Sequence, residues 1–138
     1  MQSSEVRWLD GMRFDAELFG HHLTLDYGLD TPGGQNAGPR PKALMLTSLA
    51  GCTAFDVVGI LERMRVRFSD FTVKADAELT EEHPKIYKDV HLTYKIRVDE
   101  KDRSKVMKAV KLSKEKYCGV SAMFREFSEM SFEIVYLD

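Results

Sequence analysis

The sequence predicts an α+β fold in which antiparallel sheets pack on one long central helix. Three observations predict it. The stretch ALMLTSLAGCTAFDVVGIL at 43–61 is apolar on nearly every side of a helix. Apolar and polar residues then alternate strictly at 71–79 and again at 90–98, the period of strands in a sheet with one wet face. A lysine-rich segment with a helical apolar stripe comes next, and the chain closes on an aromatic and β-branched run. The implied order is β-β-β-α-β-β-α-α-β. With 138 residues, no repeat and no linker-like tract, the chain reads as a single domain over 1–138.

Each element has its own signal. Val6, Trp8 and Leu9 suit a strand, and Asp10 with Gly11 is a hairpin turn. Segments 13–19 and 21–27 read as two further strands, with Gly20 at the turn between them. Residues 28–41 hold four Gly and three Pro and form a loop, and Pro41 is placed to open the helix. A helix over 42–65 would be about 36 Å long. That length imitates a membrane span. Asp56 near its middle, with Gly51, Gly59, Thr47, Ser48 and Thr53, argues against lipid. A helix apolar all round belongs in the centre of a globule. One small chain has little material to cover both faces, so an obligate homodimer with 44–61 in its interface is expected. Gly51 costs helix stability, so close packing is expected at that point.

Beyond the helix, Phe71, Val73, Ala75, Ala77 and Leu79 face one way in a strand. After a turn at 81–85, Val90, Leu92, Tyr94, Ile96 and Val98 do the same. Asp99 or Asp102 is suited to cap the next helix, whose inner stripe is Val106, Ala109, Val110, Ser113 and Tyr117. Cys118 and Gly119 interrupt the pattern. Val120, Met123, Phe124 and Phe127 give a short second helix, and Phe132, Ile134 and Tyr136 a last strand.

Composition excludes several classes. Lys and Arg number 20 against 22 Asp and Glu, a net charge of −2, which favours neither nucleic acid nor an anionic membrane surface. Two cysteines are too few for a disulfide scaffold or a four-Cys zinc site. No apolar leader comes after Met1, so a cytoplasmic chain with reduced thiols is expected. His21 and His22 point to opposite faces of one strand, and no metal-ligand spacing is present, so no metal is expected. There is no phosphate-binding glycine loop and no serine nucleophile elbow.

The two thiols remain. Cys52 lies inside the apolar helix, where the ordinary role of a cysteine is a small buried hydrophobe. Asp56, one turn on, would raise the pKa of that thiol rather than activate it. Cys118 stands at the start of the short helix, where a thiolate is stabilised; a cysteine that merely packs the helix junction fits the same place.

The segment PKALMLTSLAGCTAFDVVGIL at 41–61 resembles the central-helix motif of the OsmC/Ohr family, the osmotically inducible and organic hydroperoxide resistance proteins. The segment SKEKYCGVS at 113–121 resembles that family's second cysteine motif, and the element order matches from end to end. The wording is most similar to the OsmC-like branch. The resemblance implies an OsmC-like fold and an intertwined homodimer with active sites at the subunit interface. It implies a peroxidase acting on an organic hydroperoxide, with Cys52 becoming a sulfenic acid and Cys118 condensing with it to a disulfide. An external dithiol would reset the pair, and no cofactor is needed. The best-characterised members of that family carry Glu directly after the helix-opening Pro, where it orients an essential Arg; Lys42 stands there in this chain. Arg13 is the nearest match to that Arg, Arg40 is a second candidate, and Lys42 is itself able to lower a thiol pKa. The alternative function is a non-catalytic dimer that binds an apolar small molecule at its interface.

Overall fold

A computed structural model describes residues 1–138. Its elements run β1 (Ser4–Asp10), β2 (Arg13–Leu18), β3 (His21–Leu25), α1 (Leu44–Arg63), β4 (Phe68–Leu79), β5 (Tyr87–Val98), α2 (Arg103–Leu112), α3 (Gly119–Arg125) and β6 (Glu129–Leu137). The α+β class and the element order are those the sequence predicts. The chain forms two compact units, Met1–Met45 and Leu46–Asp138.

In the first unit, β1, β2 and β3 form an antiparallel meander. Gly11 takes φ +49° in the two-residue turn between β1 and β2, as the Asp10–Gly11 signal requires. The register sorts the sheet by chemistry. Val6 pairs with Ala16 and Ala16 with Leu23; Trp8 pairs with Phe14 and Phe14 with Leu25. The other face carries Glu5, Arg7, Asp15, Glu17, His22 and Thr24, with Asp15 held by Arg7 at 3.6 Å and by His22 at 3.0 Å. On the apolar face only Leu25 is buried, and Trp8 remains 62% exposed. The loop after β3 is organised by Asp26. Its buried carboxylate accepts the backbone N–H of Tyr27 (2.7 Å), Gln35 and Ala37 (both 3.1 Å). Burial pushes that carboxyl up, but those donors and the charge of Arg13 outweigh it and hold it below the ordinary carboxylate range. Gly38 passes so close to the Thr24 carbonyl that any side chain there would collide with it.

In the second unit the sheet order is β4-β5-β6. Here the expectation of purely antiparallel sheets is corrected: β4 pairs antiparallel with β5, but β5 pairs parallel with β6. The reason is the connection. Two helices carry the chain from the end of β5 back to its start, so the last strand re-enters in the same direction. Ala75, Leu92 and Phe132 line up across one face, as do Val73, Tyr94 and Ile134, and this face carries the core. The strand β4 begins before the alternating run because a bulge at Asp70, with φ +51°, breaks the period there. Arg97 holds the bulge by donating to Asp70 at 2.8 Å.

The helix α1 buries one stripe on this core: Leu49, Thr53, Val57, Ile60 and Leu61. Its opposite side is apolar too, and Phe55 stands 83% exposed. By length and hydropathy α1 alone could cross a membrane. The close packing expected at Gly51 is absent in this chain: a Cβ there would meet open space, because the residue lines a cleft of about 430 Å³ with Leu46, Ala50, Ala54 and Val73. Neither aspartate expected to cap α2 makes a side-chain capping bond, because a 3₁₀ turn at Glu100–Asp102 leads directly into the helix. Tyr117, expected in the inner stripe of this helix, is 52% exposed. A π-helical turn at Ser113–Tyr117 adds a residue to the last turn and rotates Tyr117 away from the core.

Replacing Leu92 by Ala is expected to cost about 2–5 kcal/mol in denaturant unfolding, as for other fully buried leucines. Gly51→Ala should instead stabilise α1 by roughly 0.5–1 kcal/mol, because its Cβ is unobstructed.

Candidate active site

Cys52 is contributed by the middle of α1 and Cys118 by the residue that caps α3. The two are free thiols, far apart in sequence. The fold brings their sulfurs and a carboxylate oxygen of Asp56 to within 4.8 Å of one another. Cys118 is buried and Cys52 is half-buried, so Cys52 is the more accessible residue of the pair. Cys118 acts as the α3 N-cap, its Sγ accepting the Ser121 backbone N–H at 3.3 Å. Cys52 takes the neighbouring Val120 N–H. Both sulfurs therefore meet the unpaired donors of one helix start, as expected for Cys118 alone.

The electrostatics of Cys52 run the other way. Burial, the hydrogen bond shared with Cys118, and the charges of Cys118 and Asp56 all push its thiol up; only the Val120 N–H pulls it down. Asp56 thus acts in the direction the sequence suggested. Within this unit, none of the groups acting on Cys52 is a cation.

A chain of buried hydroxyls underlies the site. The Tyr94 hydroxyl lies 2.8 Å from Thr53 Oγ1, Thr53 Oγ1 lies 2.8 Å from Ser113 Oγ, and Ser113 donates to Asp56 Oδ2 at 2.8 Å. An ionised carboxylate can only accept. Ser113 spends its one proton on Asp56, so Thr53 must donate to Ser113 and Tyr94 to Thr53. The chain has one direction, from β5 through α1 to the π turn and back to α1. Tyr94 keeps its proton throughout the ordinary pH range: burial dominates and pushes its pKa up to about 12. The π turn closes with the Cys118 N–H donating to the Ser113 carbonyl at 2.7 Å. Ser113 thus joins α1 through its hydroxyl and places Cys118 through its carbonyl. The sequence showed Ser113 only as a member of a helical stripe and Thr53 only as a polar interruption. A hydroxyl at an otherwise apolar inner position was the available signal. The hydroxyl of Ser121 is buried with no hydrogen-bond partner.

The remaining sequence-derived candidates lie in the first unit. Arg13 makes a two-pronged contact with Asp10, Nε at 2.9 Å and Nη2 at 2.7 Å, which raises its own pKa. Arg40 stands 3.6 Å from Asp30. Lys42 is exposed in the turn that precedes α1.

This fold, with a cysteine of the central helix facing a cysteine at a helix start, defines an OsmC-type protein. The family model for OsmC-like proteins matches residues 33–133, and the chain belongs to that family. Among its relatives, Protein YhfA of Escherichia coli K12 is 33% identical over 134 residues, covering 96% of this chain and 97% of that one. A hypothetical protein of Aquifex aeolicus has a solved structure with TM-score 0.79 and 28% identity, covering 100% of this chain and 98% of that one. The OsmC-like protein of Mycoplasma pneumoniae superposes with TM-score 0.84 at 10% identity, over 100% and 98% of the two chains, and shows the shared fold. An organic hydroperoxide resistance protein of Legionella pneumophila has it too, with TM-score 0.69 and 14% identity over 98% and 96%.

Tyr94→Phe is expected to lower stability at neutral pH by about 1–3 kcal/mol, because it leaves the buried Thr53 hydroxyl without its donor. The same variant tests the pH dependence. A tyrosine pKa raised on folding, from about 10 to about 12, favours the protonated native state, so stability is lost as pH rises through that window. Wild type should lose up to about 1.4 kcal/mol per pH unit there from this group. The gap between wild type and Tyr94→Phe should therefore narrow from pH 10 to pH 12 in urea titrations.

Proposed function

We propose that the protein is a thiol peroxidase that reduces organic hydroperoxides. The observation that carries this reading is the approach of the two sulfurs to within 4.8 Å, with the less buried cysteine on the central helix. The Cys52 thiolate attacks the peroxide, breaking the O–O bond; it becomes a sulfenic acid and the alcohol leaves. The Cys118 thiolate then attacks the Cys52 sulfur and displaces hydroxide, which leaves as water after protonation. An external dithiol reduces the disulfide and restores both thiols. The family membership and the hydroperoxide-resistance relatives support this chemistry as a class.

Activation of Cys52 is the demanding step, since its immediate surroundings hold it as a thiol. Arg13, Arg40 and Lys42 are the cations proposed for that role, and a homodimer is the proposed working form. The dimer reading is supported within each unit by uncovered apolar surface: Trp8 and Val6 on the first sheet, Phe55 on α1. The raised Cys52 thiol also favours a second reading, a non-catalytic dimer that binds an apolar molecule against such surface.

Mass spectrometry after one equivalent of cumene hydroperoxide separates the two. The peroxidase should lose two hydrogens as the Cys52–Cys118 disulfide forms, and Cys118→Ser should instead gain one oxygen, trapped by dimedone. An unchanged mass in wild type would eliminate the peroxidase. Iodoacetamide labelling against pH, for Arg13→Ala, Arg40→Ala and Lys42→Ala in turn, identifies the activating cation. Its loss should move the labelling midpoint upward, because the thiolate loses a favourable charge.

A further inference from the structure

We infer that the reduced protein binds a thiophilic divalent cation, Zn²⁺ or a close analogue, through Cys52, Cys118 and Asp56. Their sulfurs and a carboxylate oxygen all lie within 4.8 Å of one another. In a tetrahedral zinc centre with Zn–S about 2.3 Å and Zn–O about 2.0–2.2 Å, the two sulfurs stand ~3.8 Å apart and each is ~3.5 Å from the oxygen. The observed cluster is thus within reach of that geometry by side-chain adjustment.

The donor types point the same way. Two thiolates select a soft or borderline metal over Mg²⁺ or Ca²⁺, and one carboxylate completes three protein ligands with a fourth position open. No such site was visible in the sequence, because its ligands come from α1 and from the start of α3 rather than from a short spaced motif. Cys52 and Asp56, however, lie one turn apart on a single helix, a spacing that puts both on one side.

The carboxylate is also held. Ser113 donates to Asp56 Oδ2 at 2.8 Å, and Ser113 is itself held by Thr53 at 2.8 Å. Such outer hydrogen bonds orient a ligand and commonly change metal affinity roughly 10–100-fold when removed. Cys118 is fixed as the cap of α3, its Sγ receiving the Ser121 N–H at 3.3 Å. Binding releases two thiol protons and transfers no electrons. Forming the disulfide removes both sulfur ligands, so the metal and a peroxide compete for the same reduced pair.

This inference concerns the same residues as the peroxidase reading but does not depend on it. Its test uses no peroxide. Reduced wild-type protein is titrated anaerobically with Co²⁺, and Zn²⁺ is then used to displace it. Thiolate-to-cobalt charge-transfer absorption and tetrahedral ligand-field bands should saturate at one metal per chain. Protein pre-oxidised to the disulfide should show neither. Cys52→Ser and Cys118→Ser should each lose the two-thiolate intensity, and Asp56→Asn should weaken binding by at least the roughly tenfold typical of an outer partner. Should Asp56→Asn fail to fold, X-ray absorption of the Zn²⁺-loaded wild type decides instead, with two sulfur neighbours and oxygen completing the shell. A wild-type titration without thiolate charge transfer overturns the inference, as does equal binding by the oxidised protein. If cobalt binds but hydroperoxide is never consumed, the metal site stands and the peroxidase falls; the reverse result removes only the metal site.

Discussion

The directional run of hydroxyls from Tyr94 through Thr53 and Ser113 to Asp56 is the constraint on which the second unit depends. It joins three elements, β5, α1 and the π turn, through buried polar contacts. Dispersion and hydrophobic burial have no direction, so they would tolerate a helix that slides by a turn. A buried hydroxyl without its partner is costly, so the chain permits one register of α1 against β5 and one placement of the π turn. Cys52 and Asp56 flank Thr53 on α1, and Cys118 comes directly after the turn that Ser113 begins. The approach of the two sulfurs is therefore a consequence of where the hydroxyls are satisfied.

The π turn has a similar logic. An ordinary α-helical ending would pair the last N–H groups four residues back. Here the Cys118 N–H reaches five residues back to Ser113, which inserts a residue into the turn. Tyr117 is turned outward and Cys118 takes the cap of α3, facing α1. Such a bulge sacrifices regular helix geometry, and its position immediately before a cysteine at the candidate site fits the frequent placement of π turns at functional places.

Each unit also leaves apolar surface uncovered. In the first, the register places Val6, Trp8, Ala16 and Leu23 on one face of a three-stranded sheet, and that face is mostly open. In the second, α1 uses one stripe for the core and presents Phe55 on the other side. The same helix that carries Cys52 therefore uses one stripe of its apolar residues for the core and leaves Phe55 on another side exposed.

The sequence by itself determined the α+β class, the element order, the long apolar helix and the two thiols, because these depend on local periodicity and residue type. Alternation at 71–79 and 90–98 can be satisfied only by strands, and the 28–41 glycines and prolines only by a loop. Strand starts were less legible where a bulge at Asp70 shifts the phase. The direction of β6 was not legible, since a parallel partner carries the same alternation as an antiparallel one. The site was divided in the same way. Cys52 and Cys118 stood out by type, and the resemblance paired them. Thr53, Ser113 and Tyr94 did not stand out, because a hydroxyl on an inner face has meaning only when its partner is known. Only the tertiary structure decided that these residues meet, that Asp56 joins the two sulfurs, and that Gly51 opens onto a cleft. The physical reason is that periodicity is a property of one segment, whereas a hydrogen bond between residues 53 and 113 is a property of two segments packed together.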